Sequence, residues 1–238
     1  MSKNISTVLY IAILTPIILL ACTSEAPQTL EKETLSNIQT APDTYSDYPL
    51  SVQKKLASCG VDEDEFYRLL RLDYHAFDQD FNGGWRQIDY KDNCQDAAAY
   101  MIKSYLTLHE YSYKSQRSTL VWHTGQVLAN NGQYDEAITY FNQAYKMEAN
   151  QNPWNLYVEG TIAFLRKDKD HLIKLRDELA SMPVPEALKA SRRKFLKDNP
   201  NITMPEGFVD DPQNLSVMND LITCFNDPYS TAYGNCEE

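Results

Sequence analysis

Positive charge is scarce in this chain. Its 238 residues carry 22 Lys and Arg against 33 Asp and Glu, a formal net charge of −11 with a pI near 4.8. That balance excludes nucleic acid as a partner and speaks against an anionic lipid surface for the chain as a whole. Glycine is also sparse, at 8 residues against 11 prolines. A phosphate-cradling glycine loop is missing, as are the Gly-x-Ser-x-Gly elbow and the His-Glu-x-x-His helix, so the sequence indicates no enzyme and no cofactor. It holds no Cys-x-x-Cys knuckle, which speaks against a zinc site. No stretch alternates apolar and polar residues as a half-buried strand would. What is present is 43% apolar and 23% charged, the make-up of a globular protein long enough to bury its own core.

The apolar run from Val8 to Leu20 follows a single cation, Lys3, and is too short for a comfortable bilayer span, so it reads as an export signal. It ends in Leu19-Leu20-Ala21-Cys22, which resembles the lipobox of bacterial lipoproteins. The resemblance implies that residues 1–21 are a signal peptide and that Cys22 receives a diacylglycerol. Removing them takes away one cation and leaves −12. Thr23 stands where an Asp would mark retention in the inner membrane of a Gram-negative cell, so the resemblance points to the outer membrane, facing the periplasm, or to the cell membrane surface in a Gram-positive one. Residues 22–49 are rich in Thr, Ser, Glu, Gln and Pro without apolar period. They read as a disordered tether of about 25 residues, reaching roughly 25 to 30 Å from the lipid.

Residues 50–238 read as all-α. Asp62-Glu63-Asp64-Glu65 places carboxylates in a first turn, and Phe66, Leu69, Leu70 and Phe77 follow at helical steps, predicting a helix from about Asp62 to Phe77. A second runs from about Asp96 to His109, carrying Ala97, Ala98, Met101, Ile102, Tyr105 and Leu106. Pro185-Glu186 opens a helix with Lys189, Arg192, Arg193, Lys194 and Lys197, the one cationic cluster, which reads as a solvated face or a dock for an anionic partner. A last helix, from about Gln213 to Phe225, caps the domain.

Between these, residues 119–147 carry Gly125, Leu128, Ala129, a turn at Asn131-Gly132, Tyr134, and then Ala137, Phe141 and Ala144. This pattern resembles the tetratricopeptide repeat. A weaker copy starts at Trp154, with Gly160 standing 35 residues after Gly125, a turn at Lys167-Asp168, and Leu172, Leu175 and Leu179. The resemblance implies a short array of helical hairpins whose first helices line a concave face. Trp122, His123, Gln126 and Asn130 from one hairpin would then adjoin Tyr157 and Thr161 from the next, as a surface for an extended peptide or a partner helix. Gly125, Ala137, Phe141 and Ala144 would be packing residues.

With Cys22 taken by lipid, Cys59, Cys94, Cys224 and Cys236 form an even set in an exported chain, which favours disulfides. Cys224 and Cys236 flank a short loop, and closing a ring of that size contributes about 3 kcal/mol in the chain-entropy model; Cys59 is left for Cys94. One loop invites a metal reading. Asp78, Asp80 and Asn82 alternate before Gly83, and Asp89 stands where a calcium loop has its closing carboxylate. Against calcium, Asp89 is short, Arg86 puts a cation at a ligand position, and no second loop pairs with it. The sequence therefore reads as a lipid-anchored envelope protein acting as a docking adaptor for another envelope protein or peptide. The alternatives are a calcium-dependent module on the Asp78–Asp89 loop and an envelope hydrolase with scattered carboxylates.

Overall fold

A computed structural model describes residues 41–109, 114–146, 152–202, 204, 207–233 and 236. The expected signal peptide, Cys22 and the tether as far as residue 40 lie outside the described residues. The end of the expected tether does not behave as one. Tyr48 is buried and its hydroxyl shares a 2.7 Å hydrogen bond with Ser104, whose own hydroxyl donates to the Pro42 carbonyl at 2.6 Å. A 3-10 turn, Tyr45–Asp47, brings the Tyr45 ring to 5.5 Å from Phe66. The folded part thus starts by residue 42 and not at residue 50, because two tyrosines supply the apolar area that the surrounding polar residues lack.

Helix α1, Leu50–Ser58, was not apparent in the sequence pattern, and it buries only Leu56. It closes at Gly60, whose φ of 80° suits glycine. Helix α2, Glu63–Leu70, begins where Asp62 accepts a hydrogen bond from the Glu65 amide at 2.9 Å, and it buries Phe66, Leu69 and Leu70. It stops seven residues short of the expected Phe77. Asp73 caps a new start by accepting from the Ala76 amide at 2.8 Å, and His75–Gln79 then forms a separate π-helical turn. A short α3, Arg86–Asp89, leads to α4, Gln95–Leu108. Helices α1, α2 and α3 all pack on α4, and Phe77 stacks on Tyr105 at 3.8 Å between centroids.

Two hairpins follow. Helices α5, Lys114–Asn130, and α6, Tyr134–Phe141, lie along each other, as do α7, Pro153–Leu165, and α8, Lys169–Ala180. Their turns are built alike. The Gln133 amide donates to the Leu128 carbonyl at 2.9 Å, and 35 residues later the Asp168 amide donates to the Ala163 carbonyl at 2.9 Å. Gly125 sits against the Phe141 ring, where an added Cβ would lie 2.5 Å from a ring atom. Helix α6 ends before Ala144, a turn sooner than the repeat pattern implies. The Ala144 carbonyl instead accepts from the Ser118 hydroxyl at 2.9 Å and the Trp154 indole at 2.7 Å. Ala144 itself stays buried, with Ala137 and Phe141.

Helix α9, Glu186–Asp198, buries none of its residues. Helix α10, Leu215–Thr223, packs on α7 and α8, and a final turn of helix, α11, Tyr229–Ala232, packs on α5. The fold is all-α, with no strand among the described residues. Both expected cysteine pairings are present: Cys59 to Cys94 with S–S 2.08 Å, joining the end of α1 to the start of α4, and Cys224 to Cys236 with S–S 1.99 Å.

Candidate functional site

The residues proposed for a concave docking face lie on α5 and α7. On a helix, Trp122, Gln126 and Asn130 fall in one row at four-residue steps, while His123 is turned about 100° away from Trp122. The structure separates them accordingly. Trp122 is only 3% exposed, with its ring centroid 4.6 Å from Tyr157, 4.5 Å from Phe141 and 5.3 Å from Trp154. Tyr157 and Thr161 are buried as well, and the Thr161 hydroxyl donates back to the Tyr157 carbonyl at 3.0 Å. These three residues are packing residues and not an open groove.

Trp122 is covered by Phe141, Trp154 and Tyr157 of the two hairpins, and Tyr157 is covered in turn by the C-terminal segment of the same chain. The Tyr157 hydroxyl donates to that of Tyr233 at 2.8 Å, and the Tyr229 amide donates to the Tyr134 hydroxyl at 3.2 Å. The Gln126 side chain faces the hydroxyls of Tyr229 and Tyr233. Burial pushes the phenols of Tyr157 and Tyr229 well above the usual tyrosine range. Met218 of α10 fills the space beside Gly160, where an added Cβ would lie 2.4 Å from its terminal methyl. Of the six expected contact residues, Asn130 is exposed, Gln126 and His123 are half-buried, and Trp122, Tyr157 and Thr161 are covered. The sequence held one signal for this cover: Tyr229 and Tyr233 stand four apart inside the ring closed by Cys224 and Cys236.

His123 belongs to a different assembly. Its Nδ1 lies 2.7 Å from Oδ1 of Asp78, a carboxylate with no exposed surface. The same oxygen accepts from the Trp85 indole at 2.9 Å, and Oδ2 accepts from the Gln79 amide at 2.6 Å. Arg86 donates to the Asp78 carbonyl and lies 4.2 Å from the Trp85 ring centre. Burial pushes the Asp78 pKa up, but the hydrogen bond and attraction of His123, with Trp85 and Arg86, outweigh it and hold the carboxyl below its usual range.

This arrangement corrects the calcium-loop reading. Asp78 points inward and both its oxygens are engaged by side-chain donors, while the Asp80 carboxylate accepts from the Asn82 amide at 2.9 Å to close a turn. Oδ1 of Asp89 is buried without a hydrogen bond, and burial raises that carboxyl. Among the described residues, no group of three or more His, Cys, Asp or Glu side chains is placed to hold a metal ion. The sequence pattern matched because it counts ligand types along the chain; which way Asp78 faces is decided by Trp85 and His123.

No family model, curated protein or solved structure matches this chain. Among the described residues no helix is long and apolar enough to cross a membrane.

Proposed function

We propose that this chain is an outer-membrane lipoprotein, anchored through Cys22, whose tetratricopeptide-like hairpins serve as a docking adaptor on the periplasmic side. The observation that supports the adaptor reading is the repeated turn. The same chain reversal recurs at a 35-residue step, with Gly125 and Gly160 in register on the two leading helices. Stacked copies of one hairpin unit suit the display of residues for a protein partner, and no catalytic motif competes for the same positions. The docking residues are those left uncovered: Asn130 at the end of α5, with exposed Phe81 and Tyr90 on the loops before α4.

A photo-crosslinking residue at Asn130 or Phe81, activated in intact cells, should trap one defined envelope protein. Trapping of no species above background at both positions would reject the adaptor. The anchor is tested separately. Cys22→Ser should leave the chain unprocessed or release it from the membrane fraction, and an unchanged mass and fractionation would reject acylation.

A further inference from the structure

We propose that residues 225–233 form a strap, held shut by the Cys224–Cys236 bridge over a peptide-binding face of the two hairpins, and that reduction of this bridge uncovers the face; the occupant it then takes rests on the docking reading above. The strap runs along the surface and has two sides. Asn226, Asp227, Pro228, Ser230 and Thr231 are exposed, whereas Phe225, Tyr229 and Ala232 are buried.

The hairpins hold this strap as a bound peptide is held. At its start the Lys167 ammonium donates to the carbonyls of Phe225 at 2.9 Å and Asp227 at 3.4 Å. In its middle the Tyr134 hydroxyl accepts from the Tyr229 amide at 3.2 Å, and at its end the Tyr157 hydroxyl donates to that of Tyr233 at 2.8 Å. The Phe225 and Tyr229 rings meet Phe164 at 5.7 and 6.2 Å between centroids. Side chains of the hairpins thus read main-chain carbonyls and a main-chain amide, with aromatic anchors between them, and this suits a peptide carrying two tyrosines four apart. The fit is incomplete at one point. The Tyr229 hydroxyl is buried with no hydrogen bond of normal geometry, only the Gln126 side chain facing it. A buried polar group in that state opposes closure, so the strap leans on the covalent bridge. Closing a ring between cysteines 12 residues apart favours the closed form by about a hundredfold in the chain-entropy model.

The two bridges differ in what a reductant can reach. Cys59 and Cys94 are 2% and 5% exposed, while Cys236 is half-buried beside the strap. Exchange requires a thiolate to reach a sulfur, so access selects Cys236. A dithiol reductant supplies the two electrons. Its thiolate attacks Sγ of Cys236, the S–S bond breaks, and Cys224 leaves as a thiolate that takes up a proton. The second thiol of the reductant then attacks the mixed disulfide, which frees Cys236 and leaves the reductant as its own disulfide.

The test is amide hydrogen exchange of the full-length purified chain in three forms: oxidised, treated with graded dithiothreitol, and the double variant Cys224→Ser, Cys236→Ser. Alkylation and peptide mapping should find Cys224 and Cys236 opened before Cys59 and Cys94; the reverse order would overturn the proposal. Amides of residues 229–233 should exchange about tenfold to a hundredfold faster in both opened forms, while α4 to α8 exchange as before. Unchanged exchange there would overturn the strap, and joint loss of protection across α5 to α8 would do so equally, by making residues 225–233 part of the core. A labelled peptide of residues 225–233 should bind both opened forms and not the oxidised chain, and the peptide with Tyr229→Ala and Tyr233→Ala should bind none of them. An opened strap that leaves the peptide unbound would overturn the peptide-binding face. Opening with peptide binding, while a crosslinker at Asn130 traps no envelope protein, would reject the adaptor reading alone; trapping at Asn130 with an unmoved strap would reject the strap alone.

Discussion

At the turn of the first hairpin stands Gly132 with φ 74°, and 35 residues later the turn of the second is made by Lys167 with φ 58°. The left-handed conformation is nearly free for glycine and costs a side-chain-bearing residue roughly 1 kcal/mol. Lys167 recovers that cost from outside its own hairpin: its ammonium donates to the Phe225 carbonyl at 2.9 Å and lies 5.3 Å from the Phe225 ring centre. The close contacts differ in the same way. Gly125 is filled by Phe141 of its own hairpin, Gly160 chiefly by Met218 of α10. His123, held by Asp78, is matched one repeat later by Val158, which is fully buried. At these paired positions the first hairpin is closed by a glycine turn and its own Phe141, and the second by Phe225 and Met218 of the C-terminal segment.

The most severe way to break the comparison is to remove the aromatic pair that joins the hairpins. Trp122→Ala and Tyr157→Ala should each lower stability by about 3 to 5 kcal/mol, as truncation of a buried aromatic does, while the exposed Asn130→Ala should stay within about 0.5 kcal/mol. Denaturant unfolding of the three variants checks this. Equal midpoints for all three would return Trp122 and Tyr157 to a partner-facing role.

The two glycines should respond unequally. Alanine gains about 0.5 to 1 kcal/mol over glycine inside a helix. At Gly125 the new methyl meets the buried Phe141 ring, so overpacking of about 1 to 3 kcal/mol should dominate. At Gly160 it meets the flexible end of Met218, which can turn aside, and Gly160→Ala should be close to neutral. If thermal unfolding ranks them the other way, the second hairpin is as tightly closed as the first.

The buried Asp78 carboxylate, paired with His123 of the first hairpin, gives the fold an acid sensitivity. Because the Asp78 pKa is lowered on folding, its stabilising contribution is complete above the unfolded value, near pH 4, and is lost as pH falls through the folded one. Asp89, held above its usual range by burial, acts in the opposite sense: its contribution improves as it takes up a proton. Unfolding midpoints measured on the acid side should therefore fall for the parent chain and flatten for Asp78→Asn. An unchanged acid slope in that variant would mean that His123 and Trp85 do not depend on the charge.

The smallest effect belongs to the turns themselves. Gly132→Ala should cost about 1 kcal/mol, because nothing at that turn offsets the strain. Lys167→Gly should be nearly neutral, since relief of strain balances loss of the contacts with Phe225, and Lys167→Ala should be worse than either. Unfolding free energies of the three variants give the ranking directly.

Local pattern was enough to read helices α2 and α4 to α10, at least in outline, because their apolar residues recur at three and four and their starts are marked by Asp62 or Pro185. Helix α1 was not legible: Leu50–Ser58 buries one side chain and follows directly on a polar stretch. The break after Leu70 was hidden for a related reason, since Asp73 serves equally as a helical residue or as a cap, and only the Ala76 amide beside it decides. The cysteine pairing could be read from spacing, because the short ring from Cys224 to Cys236 leaves one partner for Cys59.

The sequence by itself determined that the chain is helical, that two hairpins repeat at 35 residues, and which small residues let their helices meet. Only the tertiary structure decided which surface of those hairpins stays open. Trp122, Gln126, Tyr157 and Thr161 have the composition of a docking face, and periodicity marks that face without saying what lies on it. At Gln126, Tyr157 and Gly160 the cover comes from Met218, Tyr229 and Tyr233, more than fifty residues further along the chain. Likewise Asp78 is an oxygen ligand in the sequence and a buried hydrogen-bond acceptor in the fold, because Trp85 and His123 reach it from different elements. Contacts between distant segments are chosen by complementary shape and by the need to partner buried polar groups, and neither leaves a period in the sequence.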